Sequence, residues 1–131
     1  MKNILRNIWF NGALAIIWMG FIFYLSSIPR FPIEFQDPWS SYISYGAHIF
    51  LYLILTFLLV RAFHSAGLPI KKALAVGFLV AIIYGATDEF HQSFVPYRDM
   101  DIKDWLFDVA SALVVLYLYN YFYKLKLFQN K

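Results

Sequence analysis

Four long apolar stretches, separated by short polar segments, constrain the fold of this 131-residue chain more than any other feature. The first stretch, residues 8–29, holds no charged residue and is long enough to cross a hydrocarbon core of about 30 Å as a helix. The others cover about residues 42–60, 73–92 and 105–123. Because lipid cannot hydrogen-bond to an exposed backbone, each stretch predicts a membrane-spanning helix.

The amino-acid composition agrees with a membrane protein. Hydrophobic residues make up 61% of the chain and charged residues 15%, against roughly half and a quarter in soluble domains. The sequence therefore predicts an all-α fold in which one domain, residues 1–131, forms a four-helix bundle in the membrane. The first apolar run is too long for a signal peptide, so we expect that helix to be retained.

Composition and charge also exclude several classes of function. The chain has no cysteine, which excludes disulfides, thiolate nucleophiles and Cys-ligated zinc. The net charge is +3, but the basic residues are scattered at the ends of the spans and form no stripe. No nucleic-acid partner is therefore predicted, and no cofactor.

The distribution of charge predicts the orientation of the bundle. Most basic residues precede the first span, separate the second from the third, or follow the fourth: Lys2, Arg6, Arg61, Lys71, Lys72, Lys124, Lys126 and Lys131. By the positive-inside rule, both termini and the middle loop are cytoplasmic, in what we expect to be a bacterial plasma membrane. All eight acidic residues then fall on the outer side: Glu34, Asp37, Asp88, Glu89, Asp99, Asp101, Asp104 and Asp108.

Polar residues recur where all four spans approach the predicted outer surface. They are Ser26 in the first span, His48 and Tyr52 in the second, Asp88, Glu89, His91 and Gln92 in the third, and Asp104 and Asp108 in the fourth. Several are four residues apart and so share one helical face. A charge inside a span costs up to about 2.5–3.5 kcal/mol, so we expect these side chains to face the interior of the bundle.

Small residues recur at every fourth position along the third span, at Ala73, Gly77, Ala81 and Gly85. Such a stripe lets another helix approach closely. That helix could belong to the same bundle, or Gly77, Ala81 and Gly85 could contact a second membrane protein.

Arg98 follows the acidic pair across a turn at Pro96. We expect its guanidinium to be the counter-ion of Asp88, or to bind a phosphate or carboxylate of a ligand. The simpler interpretation of Asp88 and Glu89 is a structural ion pair with Arg98 and Lys103.

The other polar residues also have simple structural interpretations. His48 could be a core histidine bonded to a neighbour, His91 a solvated helix end, and Asp104 with Asp108 a helix cap. Asp88 and His91 have the spacing for a metal site with one of those acids, but the signature is too loose, and no metal is predicted.

The stretch Asp-Glu-Phe-His-Gln-Ser-Phe-Val-Pro-Tyr-Arg, residues 88–98, followed by Asp104, resembles the signature of the VanZ-like family. Ser26, Pro29, His48 and Tyr52 agree with it, so the resemblance covers nearly the whole chain. It implies a four-span bacterial membrane protein of the cell envelope. The founding member of that family is linked to reduced susceptibility to teicoplanin, a glycopeptide antibiotic.

The chain departs from the family pattern in three places. Tyr45 stands where Lys is common, Asp108 stands where Asn is common, and the usual glycines are replaced around Ser111 and Ala112. These changes bear on the antibiotic role more than on the fold. An acid at position 108 makes the predicted site more acidic and favours a cation or a protonated group.

Three hypotheses of function follow. The first is an envelope enzyme or binding protein for a membrane lipid or lipid-linked precursor with a phosphate-bearing head group. In it Arg98 binds phosphate, and Asp88 or Glu89 is the general base. His48, the third candidate catalytic residue, orients the ligand together with Gln92. The ligand also contacts Tyr52, Ser26, Asp104 and Asp108. Whether it catalyses a reaction stays open.

The second hypothesis is a non-enzymatic accessory subunit that binds another membrane protein through the small-residue stripe. The third is a small proton-coupled carrier in which Asp88, Glu89 and His48 relay protons. The absence of ionisable groups from the predicted cytoplasmic half of every span disfavours the carrier.

Overall fold

The chain folds into four α-helices in the computed structural model, which describes residues 7–30 and 39–129, with side chains up to residue 122. They are α1 (Ile8–Ser26), α2 (Ser40–Ser65), α3 (Ile70–Gln92) and α4 (Ile102–Gln129). Each is long and apolar enough to cross a membrane, and no strand occurs in the described ranges. The predicted all-α, four-span architecture is confirmed.

The helices do not end where the apolar stretches end. α2 continues to Ser65 and α3 begins at Ile70, so both include basic residues that the sequence analysis placed in the loop between them. A charged residue marks the edge of an apolar stretch, but it does not stop a helix. α1 ends earlier than predicted, at Ser26, because Ile28 precedes Pro29 and a residue before proline disfavours the helical conformation.

α2 is the central helix of the bundle. It packs along α1, α3 and α4, whereas α1 has little contact with α3. The apolar core between the helices includes Ile22, Leu55, Leu59, Ala81 and Ala112. Many large apolar side chains on the outside of the bundle remain exposed, as a surface that faces lipid requires.

Polar tips of aromatic side chains join the helices through backbone carbonyls. The Trp18 indole of α1 donates to Leu51 O of α2 at 3.0 Å, and the Trp105 indole of α4 donates to Ile82 O of α3 at 3.0 Å. Each indole thereby satisfies its N–H where water is scarce, which fixes the rotation of one helix against the next.

The small-residue stripe of α3 is buried within the bundle. A Cβ atom on Gly77 would lie 2.8 Å from Val60 Cγ2 and 3.1 Å from Val60 N, so α2 and α3 approach closely at this glycine. Ala73 and Ala81 are fully buried. Contact with a second membrane protein stays a prediction, but Gly77, Ala81 and Gly85 are not exposed to make it.

A polar pair lies at the opposite end of the bundle from the acidic residues. Arg61 Nη2 donates to Asn11 Oδ1 at 3.0 Å, and Asn11 is only 2% exposed. The expectation that this half of the spans lacks ionisable groups is therefore wrong. The sequence placed Arg61 in a loop because it follows the apolar stretch, whereas α2 carries it inside the bundle.

The predicted orientation is not decided by these contacts. Lys2, Arg6, Glu34, Asp37 and Lys131 lie outside the described residues, and so do the side chains of Lys124 and Lys126. The positive-inside assignment stays a prediction.

Candidate functional site

Polar side chains converge at the end of the bundle where α1 and α3 end and α2 and α4 begin, which we call the polar end. Eight of the predicted site residues are buried there: Ser26, His48, Tyr52, Asp88, Glu89, Gln92, Asp104 and Asp108. The ninth, Arg98, is half-buried beside them. The structure thus brings the sequence-predicted residues together, and what they bind stays a prediction.

His48 lies at the centre of the acidic side chains. Its Nδ1 is 2.9 Å from Asp108 Oδ1 of α4, the one hydrogen bond of the ring in the described part of the chain. Its Nε2 lies 3.6 Å from Asp104 Oδ2 and 3.8 Å from Glu89 Oε1. The imidazole therefore links carboxylates of α3 and α4 to α2.

Gly85 leaves the space that the Asp108 carboxylate occupies. A Cβ atom at position 85 would lie 2.8 Å from Asp108 Oδ2 and 3.3 Å from Tyr52 Cε1. The small-residue stripe of α3 therefore has a second role at its end, since it admits a carboxylate of α4 as well as allowing close packing.

The four carboxylates of the site carry more charge than their protein partners offset. Asp88, Glu89, Asp104 and Asp108 are each at most 4% exposed. Each keeps one oxygen without a hydrogen-bond partner among the described residues. Two like charges about 4 Å apart repel by about 4 kcal/mol near a protein surface. His48 is the one basic group within ion-pair distance of these acids among the described residues, with Arg30 and Arg98 farther away at the cavity. Protonation of some acids or a bound cation would offset the remaining repulsion.

Glu89 also holds the segment between α3 and α4. Its Oε2 accepts from Asp101 N at 2.9 Å, and Asp101 Oδ1 accepts from Lys103 N at 2.8 Å as the N-cap of α4. One oxygen of Glu89 is thus structural, which leaves the other directed at His48.

Arg98 forms no direct ion pair with Asp88, although both line the same cavity. Its Nε donates to Ile28 O at 3.0 Å and its Nη2 to Leu25 O at 3.2 Å, and no ion pair joins it to a carboxylate in the described residues. The last carbonyls of a helix lack intrahelical partners, so the end of α1 attracts the guanidinium. The sequence could not predict this contact, because it joins residues far apart in the chain.

A tight turn places Arg98 at the end of α1. Arg98 N donates to Val95 O at 3.1 Å, with Pro96 and Tyr97 as the central residues. Tyr97 has φ 59°, the left-handed conformation that the second central position of such a turn requires. The turn directs the Arg98 side chain back across the bundle.

Arg30 is a site residue that the sequence analysis missed. It donates to the Ser44 hydroxyl, which in turn donates to Asp104 Oδ2 at 3.3 Å. Burial, and next the positive charge of Arg30, lower the pKa of Arg98, so the two guanidinium groups are close enough to repel. Its position directly after Pro29, just beyond the first span, is the signal that could have identified it.

A cavity of about 320 Å³ opens between α1, α2 and α3 at the polar end. Its polar lining consists of Ser26, Arg30, Ser40, Ser44, His48, Tyr52, Asp88, Gln92 and Arg98. Gln92 Nε2 donates to Asp88 Oδ2 at 3.1 Å and so fixes the orientation of that carboxylate in the cavity lining. The cavity therefore presents two cations, an acid and several hydrogen-bonding groups to one ligand-sized space.

His91 faces away from the acidic cluster, and it is not the solvated helix end that the simpler interpretation expected. Its Nε2 lies 3.0 Å from Ser27 Oγ, and its ring packs on Phe23 with 4.4 Å between centroids. It therefore fastens α3 to α1. The metal-ligand combination of His91 with Asp88, considered from spacing alone, is not formed.

A family model described as VanZ/LLP1 matches residues 11–124, which include every residue of the site. No curated protein and no solved structure matches the chain.

Proposed function

This chain belongs to the VanZ/LLP1 family, and from that premise we propose that its polar end binds the phosphate of a lipid or lipid-linked head group. Four apolar helices fit a multi-pass membrane protein. One observation carries the proposal: Arg30 and Arg98 line one cavity, and neither forms an ion pair with a carboxylate of the described residues.

The two guanidinium groups favour an anion with more than one oxygen. Arg98 uses Nε for the carbonyl of Ile28 and Nη2 for that of Leu25, which leaves N–H groups of its guanidinium for a ligand. Two neighbouring cations repel, and a phosphate between them offsets that repulsion with charge-assisted hydrogen bonds. A neutral head group would leave the repulsion between the two guanidinium groups in place.

The rest of the cavity favours a lipid over a free ion. Ile22, Leu25, Ile43 and Leu51 line it beside the polar groups, so an apolar chain has a surface to follow. A cavity at the end of membrane-spanning helices lies at the height of lipid head groups. With the orientation predicted by the positive-inside rule, the ligand belongs to the outer leaflet of a bacterial plasma membrane.

The acids give the cavity a group that can accept a proton from a bound ligand. Asp88 lines the cavity, is oriented by Gln92, and keeps Oδ1 without a partner in the described part of the chain. It is the best placed candidate for a general base, whereas one oxygen of Glu89 is committed to Asp101.

Binding is tested by native mass spectrometry of the full chain in detergent, with a polyprenyl phosphate and the polyprenol of the same chain length as probes. We expect the phosphate to be retained and the alcohol to be lost. Arg98→Gln and Arg30→Gln should each weaken retention by about 10–100-fold, the effect of removing a charged hydrogen bond. Lys103→Gln, an exposed cation at the same end, is the control and should bind normally. Equal retention of alcohol and phosphate would overturn the proposal.

The resemblance to a family linked with teicoplanin gives a cellular test. We propose that expression of this chain changes glycopeptide susceptibility of the host through the same site. Glu89→Ala and Arg98→Ala should abolish the change while the variants still insert into the membrane. Full activity of both variants would separate the antibiotic effect from the polar end.

No observation in the structure specifically favours the accessory-subunit hypothesis or the proton-carrier hypothesis. The stripe that an accessory subunit would use is buried against α2 and α4. A proton carrier needs a path between the polar end and Arg61, and the buried Leu55 and Leu59 lie in the apolar core between them.

A further inference from the structure

Three potential ligand atoms from three helices meet at the polar end. His48 Nε2 from α2, a Glu89 oxygen from α3 and an Asp104 oxygen from α4 all lie within 4.8 Å of one another, and all three residues are buried. We propose that these side chains bind one divalent cation. This inference goes beyond phosphate binding and does not depend on it.

The distances fit a cation better than a direct contact. His48 Nε2 is 3.6 Å from Asp104 Oδ2 and 3.8 Å from Glu89 Oε1, too far for a hydrogen bond in either case. Ligand atoms at bonds of about 2.0–2.2 Å from a tetrahedral ion lie roughly 3.3–3.6 Å apart. Small side-chain rotations bring the three atoms onto one ion.

Asp108 prepares His48 to be a ligand. Its Oδ1 lies 2.9 Å from His48 Nδ1, so the carboxylate holds the ring hydrogen on Nδ1 and leaves the Nε2 lone pair directed at Glu89 and Asp104. A carboxylate on the far nitrogen is the common support of a metal-bound histidine. Asp108 is thus a positioning residue of the proposed site.

The unpartnered oxygens point to the same ligand. Glu89 Oε1, which faces His48, has no hydrogen-bond partner in the described residues. In Asp104 the unpartnered oxygen is Oδ1, whereas Oδ2, the oxygen 3.6 Å from His48 Nε2, accepts from Ser44 Oγ. Both residues are more than nine-tenths buried. Buried carboxylates are stable when they are paired or coordinate a metal, and a divalent cation supplies the positive charge that one imidazole does not.

The ligand set indicates the class of cation. One imidazole nitrogen and two carboxylate oxygens, in a chain without thiolates, suit Zn²⁺ or Mn²⁺ better than the all-oxygen preference of Mg²⁺. Three protein ligands also leave a coordination position for water or for an oxygen of a ligand. Of the three proposed ligands, His48 also lines the cavity of the proposed phosphate site.

The first experiment measures binding of Zn²⁺ and Mn²⁺ alone. The purified full chain in detergent is stripped with a chelator, and bound metal is determined by equilibrium dialysis and elemental analysis. We expect one ion per chain. Glu89→Gln, Asp104→Asn and His48→Ala should each weaken binding by at least about tenfold, and Asp108→Asn by about 10–100-fold. His64→Ala is the control, because that exposed histidine lies near the other end of α2, where its ring hydrogen-bonds to Leu68 O. A stripped chain that binds no ion would overturn the proposal, and so would equal binding in the His48 and control variants.

A second experiment leaves the proposed ligands intact, in case their variants fail to fold. The chain has three histidines, so His64→Ala combined with His91→Ala leaves His48 alone. Electron spin-echo spectroscopy of bound Mn²⁺ in this double variant should show nitrogen coupling from one imidazole. Mn²⁺ without that coupling would contradict the assignment, because the carboxylates would then bind it without His48.

Discussion

Replacement of Gly77 by alanine tests the packing that positions the polar end. The added Cβ atom would lie 2.8 Å from Val60 Cγ2 and 3.1 Å from Val60 N. Because one of these atoms belongs to the α2 backbone, rotation of a side chain cannot remove the overlap. The two helices have to separate, and α2 carries His48.

Gly46→Ala provides a matched control in α2. No atom lies within 4 Å of the Cβ position of Gly46, so the methyl group meets open space. Both substitutions gain about 0.5–1 kcal/mol from replacing glycine inside a helix. Overpacking a tight contact costs about 1–3 kcal/mol. The free energy of unfolding should therefore be lower for Gly77→Ala than for Gly46→Ala by about 1–3 kcal/mol, since the helix term cancels.

The assay is reversible unfolding of the purified chain in mixed micelles with an increasing fraction of a denaturing detergent, followed by circular dichroism. Gly46→Ala should match or slightly exceed the original chain, and Gly77→Ala should unfold at a lower detergent fraction. Equal stability of the two variants would mean that α2 and α3 do not pack at Gly77, and the arrangement of the polar end would lose its support.

Three further predictions concern other parts of the bundle. Asn11→Ala should lower the free energy of unfolding by about 1–3 kcal/mol in the same assay, because the Arg61 guanidinium loses a buried acceptor. An unchanged free energy of unfolding would show that this pair does not form. Tyr97→Asn should be neutral or stabilising by up to about 1 kcal/mol, since asparagine tolerates the left-handed conformation better and Tyr97 is 60% exposed. A clear loss of stability would contradict the left-handed conformation of residue 97 in the turn. In a chain without cysteine, Asp99→Cys should react with a membrane-impermeant maleimide in intact cells and Ala66→Cys only after permeabilisation, and the reverse pattern would invert the orientation.

The membrane-spanning architecture was predictable because it depends on local properties of the chain. Apolar length alone identified four spans, and a four-residue spacing placed His48 with Tyr52 and Asp104 with Asp108 on interior faces. The stripe ending at Gly85 also predicted that α3 would pack closely. These features follow from the geometry of a single helix, so residue spacing in the sequence is enough to predict them.

The partners of the arginines were not predictable in the same way. Arg98 bonds to the end of α1, Arg61 to Asn11, and Arg30 to Ser44. Each contact depends on the rotation and height of two helices relative to each other. Opposite charge alone had predicted that Arg98 would pair with Asp88. A guanidinium with many donors satisfies unpaired carbonyls as readily as carboxylates, so charge is a poor guide to its neighbour.

The central claim is that a lipid phosphate binds between Arg98 and Arg30. Solid-state NMR tests it directly, through the dipolar coupling between ¹⁵N-labelled arginine guanidinium groups and the ³¹P nucleus of a bound polyprenyl phosphate in liposomes. The account predicts that ³¹P dephases guanidinium nitrogens at hydrogen-bonding distance and that Arg98→Lys removes most of the effect. Arginine nitrogens that show no dephasing, or dephasing unchanged in Arg98→Lys, would contradict it.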